Sequence, residues 1–229
     1  MGQRRPAGQP LLQRPGVRYP PSDLPLRACL LSGGESRRMG SDKALLPHPE
    51  GGTWLERTLL LLAQLEAPIT LLSRHPAHLA LAQRLARQLA AAPGRLPPPA
   101  ITPESEPPPW EGPLLALHRL MQRHPDQRLL LCPVDMPNLT LAALHTLLAA
   151  ADDPAGTQEL PGLHLAHDGE KLQPLLGLYP SSTRIRTHLT AAVQRGERRL
   201  QRWLAALPCR PVPLDPRAIR NMNRSGPIN

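Results

Sequence analysis

Three short apolar runs, at residues 27–32, 68–72 and 128–132, alternate with longer stretches in which Leu and Ala recur at helical spacing. A run that short and that continuously apolar suits a strand covered on both faces, and parallel strands need helical crossovers to connect them. The pattern therefore predicts an α/β fold: a Rossmann-like, doubly wound, mostly parallel sheet with helices on both faces. Thr53-Trp54-Leu55-Glu56 has capping-box spacing and opens a helix expected to run to Leu65. Further helices are expected over 76–92, from Gly112-Pro113 onward, and over 140–151. Proline crowds residues 93–109, which leaves room for only a brief strand at 100–102. Beyond residue 160 the pattern changes. GLHLAH and QPLLGLY flank the turn residues HDGEK and predict a small antiparallel hairpin, followed by two Arg-rich helices at 182–195 and 197–207 and a Pro-rich final strand.

Phe is absent and aromatics make up 2% of the 229 residues, so Leu and Ala must fill the core, which suits helical layers better than a β-sandwich. The three cysteines, Cys29, Cys132 and Cys209, are odd in number and set in apolar surroundings, which disfavours a disulfide framework and favours a reducing compartment. No apolar run reaches the roughly 18–20 residues of a membrane span. The N-terminus is rich in Arg and Pro and has no apolar signal core, so a cytoplasmic protein is expected. Residues 1–25 read as a disordered tail and 26–229 as a single domain. The net charge of +9 suits a polyphosphate ligand. The aromatics that would stack on bases are not interleaved with the basic residues, which argues against nucleic acid as partner.

The first strand ends in the stretch LLSGGESRRMGSDKALL. In an open α/β sheet the ligand crevice lies beyond the carboxyl ends of the strands. Gly33, Gly34 and Gly40 let backbone N–H groups approach an anion there, and Arg37, Arg38 and Lys43 bring positive charge. The spacing matches neither the Rossmann G-x-G-x-x-G nor the Walker G-x-x-x-x-G-K-[ST] loop. Asp135, just past the apolar run at 128–132, is a second candidate, either as a cap for the next helix or as a ligand for a divalent cation. Thr140 competes for the capping role. His48, His75, His78 and His118 are dispersed and have no cysteines near them in sequence, so no zinc-type cluster is expected.

These residues resemble the nucleotidyltransferase loop L-[AS]-G-G-x-S-x-R-M-G-x-D-K, at Leu31, Ser32, Gly33, Gly34, Ser36, Arg38, Met39, Gly40, Asp42 and Lys43. The loop is found in the molybdenum cofactor guanylyltransferase (MobA-like) family. Later segments keep the family order: Glu104-Ser105 with Trp110-Glu111-Gly112-Pro113-Leu114 is similar to D-x-x-x-x-x-G-P-L, with Glu104 standing for the usual Asp. CPVDMP is similar to C-D-M-P, HDGEKLQPL to D-G-x-x-x-P-L, and Asn221-Met222-Asn223 to a closing N-x-N.

The resemblance implies a nucleotide-diphospho-sugar transferase-like fold and transfer of GMP from GTP to the phosphate of molybdopterin, with Mg2+ as cofactor. The substrates would be GTP and molybdopterin, and a molybdoenzyme or its chaperone would receive the product. Arg38 and Lys43 would neutralise the triphosphate and Asp135 would hold the metal. Leu31, Ser32, Gly33, Gly34 and Glu104 would line the nucleotide, and Asn221 and Asn223 the pterin or its phosphate. The nucleophile is already anionic, so the reaction asks for positioning and charge stabilisation more than for a strong base. Three other functions stay open: a molybdopterin cytidylyltransferase, a sugar-phosphate nucleotidyltransferase, and a non-catalytic nucleotide or cofactor carrier.

Overall fold

The computed structural model describes residues 24–33, 42–91, 100–152 and 162–222. Their strands are β1 (Leu26–Leu31), β2 (Ile69–Ser73), β3 (Ile101–Ser105), β4 (Arg128–Pro133), β5 (Leu163–His167), β6 (Leu172–Pro180) and β7 (Cys209–Pro213). They form one sheet in the order β3-β2-β1-β4-β6-β5-β7. The pairs β1/β2, β1/β4, β2/β3 and β5/β7 are parallel, whereas β6 runs antiparallel to both β4 and β5. The expected mostly parallel sheet is present, and the hairpin β5–β6 continues it beyond β4.

The helices are α1 (Trp54–Leu62), α2 (Pro76–Ala91), α3 (Pro113–Arg123), α4 (Leu141–Asp152), α5 (Thr183–Gln194) and the short α6 (Leu200–Leu204). Alternation along each strand divides the core between the two faces of the sheet. Leu30, Leu71, Leu130 and Leu178 pack with α1, α2 and α4 on one face. Cys29, Leu129, Leu131 and Tyr179 pack with α3, α5 and α6 on the other. Each fully buried Leu contributes about 1.5–3 kcal/mol relative to an exposed one, so the core is sustained by Leu and Ala in place of Phe. Cys29, Cys132 and Cys209 are free thiols.

Local chemistry explains the element ends. In the α1 capping box the Glu56 N–H donates to Thr53 Oγ1 at 3.2 Å, and the Thr53 N–H donates to a Glu56 carboxylate oxygen at 2.9 Å. Thr140 Oγ1 accepts from the Ala143 N–H at 3.2 Å at the start of α4, so that helix does not need Asp135 as its cap. Gly112 precedes α3 with φ of 94°, a conformation open to glycine, and Pro113 then supplies a pre-set first turn.

Two boundaries differ from the sequence expectation. β3 continues through Pro103 to Ser105, because it is an edge strand and Pro103 pairs with Leu71 without needing to donate on its free side. Leu24 and Pro25, assigned to the tail, already join the amino end of the central strands β1 and β4: their carbonyls accept from the side chain and the main-chain N–H of Arg128. The remainder of the expected tail, residues 1–23, lies outside the described residues. Among the described residues no helix is long and apolar enough to cross a membrane.

Candidate active site

The chain visits β2 and β3 on one side of β1 and then returns to β4 on the other, so the winding direction reverses between β1 and β4. Ligands of doubly wound sheets bind at the carboxyl end of such a switch point. A cavity of about 420 Å3 opens there. The register pairs Leu31 with Pro133, the last residues of β1 and β4, and two residues beyond each strand end come Gly33 and Asp135, both in the cavity wall. Leu31, Ser32 and Lys43 also line it. Gly34, Arg38 and Asn223 fall outside the described residues.

Asp135 has a buried Oδ1 without a hydrogen-bond partner. Burial pushes its carboxyl above the ordinary carboxylate range, and the positive charge of Lys43 opposes that shift. A buried carboxylate oxygen left unsatisfied is costly in a folded chain, and such atoms call for an explanation in terms of function or a bound ion. An oxygen-preferring cation that also takes phosphate oxygens fits this donor, since Mg2+ is commonly held by one or two carboxylates plus substrate. Among the described residues no three His, Cys, Asp or Glu side chains form a metal-binding group.

Lys43 is placed by its neighbours in sequence. Asp42 Oδ1 accepts from the Ala44 N–H at 3.1 Å and so caps the short helical turn that Lys43 opens. Asp42 Oδ2 lies 2.6 Å from His78 Nε2. A carboxylate only accepts, so Nε2 carries the proton. His78 is 1% exposed, and its Nδ1 lies 2.9 Å from both Ser32 Oγ and Ser32 O and 3.0 Å from Ser73 Oγ. One buried imidazole therefore ties the end of β1, the end of β2 and the residue before Lys43 together. The sequence pattern alone gives His78 no role, because the histidines are dispersed along the chain. The available signal was a histidine in the first turn of an apolar helix, directly after a strand.

Glu104 is not in the cavity wall. Its carboxylate lies 3.4 Å from Arg123 Nε and 3.9 Å from His124 Nε2, beneath the end of α3. Glu106 lines the cavity instead. It is 8% exposed, and Arg119 Nη1 donates to its Oε1 at 2.9 Å. Burial raises its carboxyl, while Arg119 and Arg74 pull it down. A Cβ on Gly33 would come within 2.7 Å of Glu106 Oε2, so the glycine is what admits this carboxylate beside the strand end. The motif D-x-x-x-x-x-G-P-L, counted back from Gly112, lands on Glu106 and not on Glu104. Spacing alone could have made that correction.

Asn221 is exposed and outside the cavity wall; its Nδ2 donates to Gln173 Oε1 at 3.1 Å. Gln173 in turn donates to Asp168 Oδ2 at 2.6 Å, which joins the hairpin turn to the C-terminal segment. The next residue supports the site through the backbone: the Met222 N–H donates to Asp135 O at 2.9 Å.

The model of the MobA-like NTP transferase domain matches residues 28–211, a span that includes every wall of this cavity. The chain belongs to the MobA-like NTP transferase family. It is 32% identical over 205 residues to a protein of Rhodopirellula baltica described as a probable molybdenum cofactor guanylyltransferase, covering 87% of this chain and 88% of that one. A Mycobacterium tuberculosis protein of the same description is 31% identical over 214 residues, covering 91% and 94%. Among solved structures, molybdopterin-guanine dinucleotide biosynthesis protein A from Archaeoglobus fulgidus superposes with a TM-score of 0.58 at 17% identity, over 87% of this chain and 93% of that one. The fold is also shared with 2-C-methyl-D-erythritol 4-phosphate cytidylyltransferase of Thermus thermophilus, at a TM-score of 0.52, 15% identity and coverage of 83% and 90%. Both likenesses are of the fold.

Proposed function

We propose that this member of the family transfers GMP from GTP to the phosphate of molybdopterin, giving the guanine dinucleotide cofactor and pyrophosphate. The observation that carries the proposal is the placing, in one switch-point cavity, of Lys43 and the Asp135 carboxylate, whose buried Oδ1 has no hydrogen-bond partner. The names of the relatives at 31–32% identity support the same reaction.

In that reaction a phosphate oxygen of molybdopterin bonds to the α-phosphorus of GTP, the bond from that phosphorus to the β-phosphate oxygen breaks, and pyrophosphate leaves with the electron pair. Lys43 neutralises the triphosphate, joined by Arg38 from the glycine loop. Asp135 would hold a divalent ion, taken here as Mg2+, which would offset phosphate charge. Gly33 lets the nucleotide approach the end of β1. Glu106 faces the base, where its carboxylate accepts from the N1–H and 2-amino groups of guanine. Cytosine offers the acceptors N3 and O2 in place of those two donors and keeps only its 4-amino group to pair with a carboxylate, so guanine is preferred. His78 and Asp42, in the wall of the same cavity, keep Lys43 in position.

The test is product analysis. The purified chain, given GTP, Mg2+ and molybdopterin, yields the dinucleotide and one pyrophosphate per turnover. A carrier would bind GTP and return it unchanged, and that result would remove the catalytic assignment.

A further inference from the structure

Trp110 stands at the mouth of the same cavity and is 52% exposed, although it is a large apolar side chain in a protein with few aromatics. Its loop is tied in place. The indole N–H donates to Glu106 O at 2.9 Å, and Arg119 donates to both Glu106 Oε1 and Pro109 O, each at 2.9 Å. The guanidinium carbon of Arg74 lies 5.2 Å from the ring centroid, over its face. An exposed indole held by its own hydrogen bond, in a loop that Arg119 fixes with two more, and covered on one face by a cation forms a flat, pre-ordered wall, the arrangement on which planar bases stack in a sequence-tolerant way. The wall adjoins the carboxylate of Glu106 and lies in the same cavity as the Lys43 and Asp135 pair.

We propose that Trp110, with Arg74, is the stacking surface for the purine ring of the donor nucleotide. The inference rests on the guanylyltransferase reading and adds to it a contact that no motif of the glycine loop supplies. Stacking sets affinity for a bicyclic base, while Glu106 reads the edge of that base. Trp110→Leu therefore weakens GTP binding by roughly tenfold, the effect of losing one base–aromatic stack. Trp110→Phe keeps most of the affinity, because a flat ring remains.

Trp54 and Trp203 are each 3% exposed, so solvent quenching of tryptophan emission reports on Trp110. GTP with Mg2+ is titrated into wild type, Trp110→Leu and Trp110→Phe by calorimetry, and acrylamide quenching is measured with and without GTP. The expected result is that GTP shields the wild-type emission from acrylamide, that the Leu variant loses about tenfold in affinity, and that the Phe variant stays within about threefold of wild type. Tight GTP binding that is equal in wild type and Trp110→Leu, with no shielding, overturns the stacking assignment and leaves the guanylyltransferase reading intact. Shielding by molybdopterin but not by GTP also overturns it and gives the wall to the acceptor. No GTP binding by wild type overturns both.

Discussion

Replacing Asp135 by Asn separates the cost of the site from its use. In the folded chain Oδ1 is buried and makes no hydrogen bond, and burial outweighs the favourable field of Lys43 in shifting the carboxyl upward. A buried polar group without a partner costs about 1–3 kcal/mol, and more when charged. Lys43 recovers part of that cost, and the amide of Asn remains polar. A net stabilisation of about 1 kcal/mol is therefore expected for Asp135→Asn, which raises Tm by about 2–4 °C in a domain of this size. Turnover should fall by at least about a hundredfold, since a single lost electrostatic stabiliser typically costs that much. The assay is differential scanning calorimetry of both proteins, with and without Mg2+ and GTP, beside pyrophosphate release. Ligand should raise the Tm of wild type and leave that of the variant nearly unchanged. A variant that is less stable than wild type yet fully active would refute the reasoning, because Asp135 would then be a structural residue.

Other perturbations test the surrounding parts. His78→Ala leaves Asp42 and the hydroxyls of Ser32 and Ser73 without their buried partner, so it should destabilise the fold by about 2–3 kcal/mol in urea unfolding; its residual folded fraction should show a raised KM for GTP as Lys43 loses its anchor. Glu106→Gln should narrow the preference for GTP over CTP by at least about tenfold in kcat/KM, with unfolding curves close to wild type. Burial, with Arg27 and Arg123 nearby, pushes the His124 imidazole down from 6.5 to about 4. The unfolded chain then takes up this proton first, so stability falls as pH drops from 6.5 toward 4. His124→Gln should flatten that part of the stability–pH curve, as measured by denaturant titration at stepped pH.

The parts of the fold legible in the sequence were those set by short-range chemistry. The Thr53–Glu56 capping box, the run LLLC of β4 and the Gly112-Pro113 helix start each have a local cause, and each is found at the expected place. Pairing across the sheet was less legible. That β6 lies beside β4 depends on Leu129 meeting Tyr179 and Leu131 meeting Gly177, contacts between segments about fifty residues apart. The extent of β3 was underestimated because proline disfavours a central strand, and only the finished sheet shows that β3 is an edge. In the site, Leu31, Ser32, Gly33 and Lys43 of the glycine loop and Asp135 of the segment CPVDMP could be named from their spacing, and all line one cavity. Glu106 stands six residues before Gly112, where the motif D-x-x-x-x-x-G-P-L puts its carboxylate. His78, Arg74 and Trp110 were missed because their roles come from β2, α2 and the loop after β3 converging in space, which no linear pattern records.

The most direct test of the central claim is donor competition. The purified chain is supplied with molybdopterin, Mg2+ and equal concentrations of GTP and CTP, each labelled differently, and the dinucleotide product is isolated. Incorporation of GMP in large excess over CMP is the predicted result. A product carrying CMP, or consumption of neither nucleotide, would contradict the account.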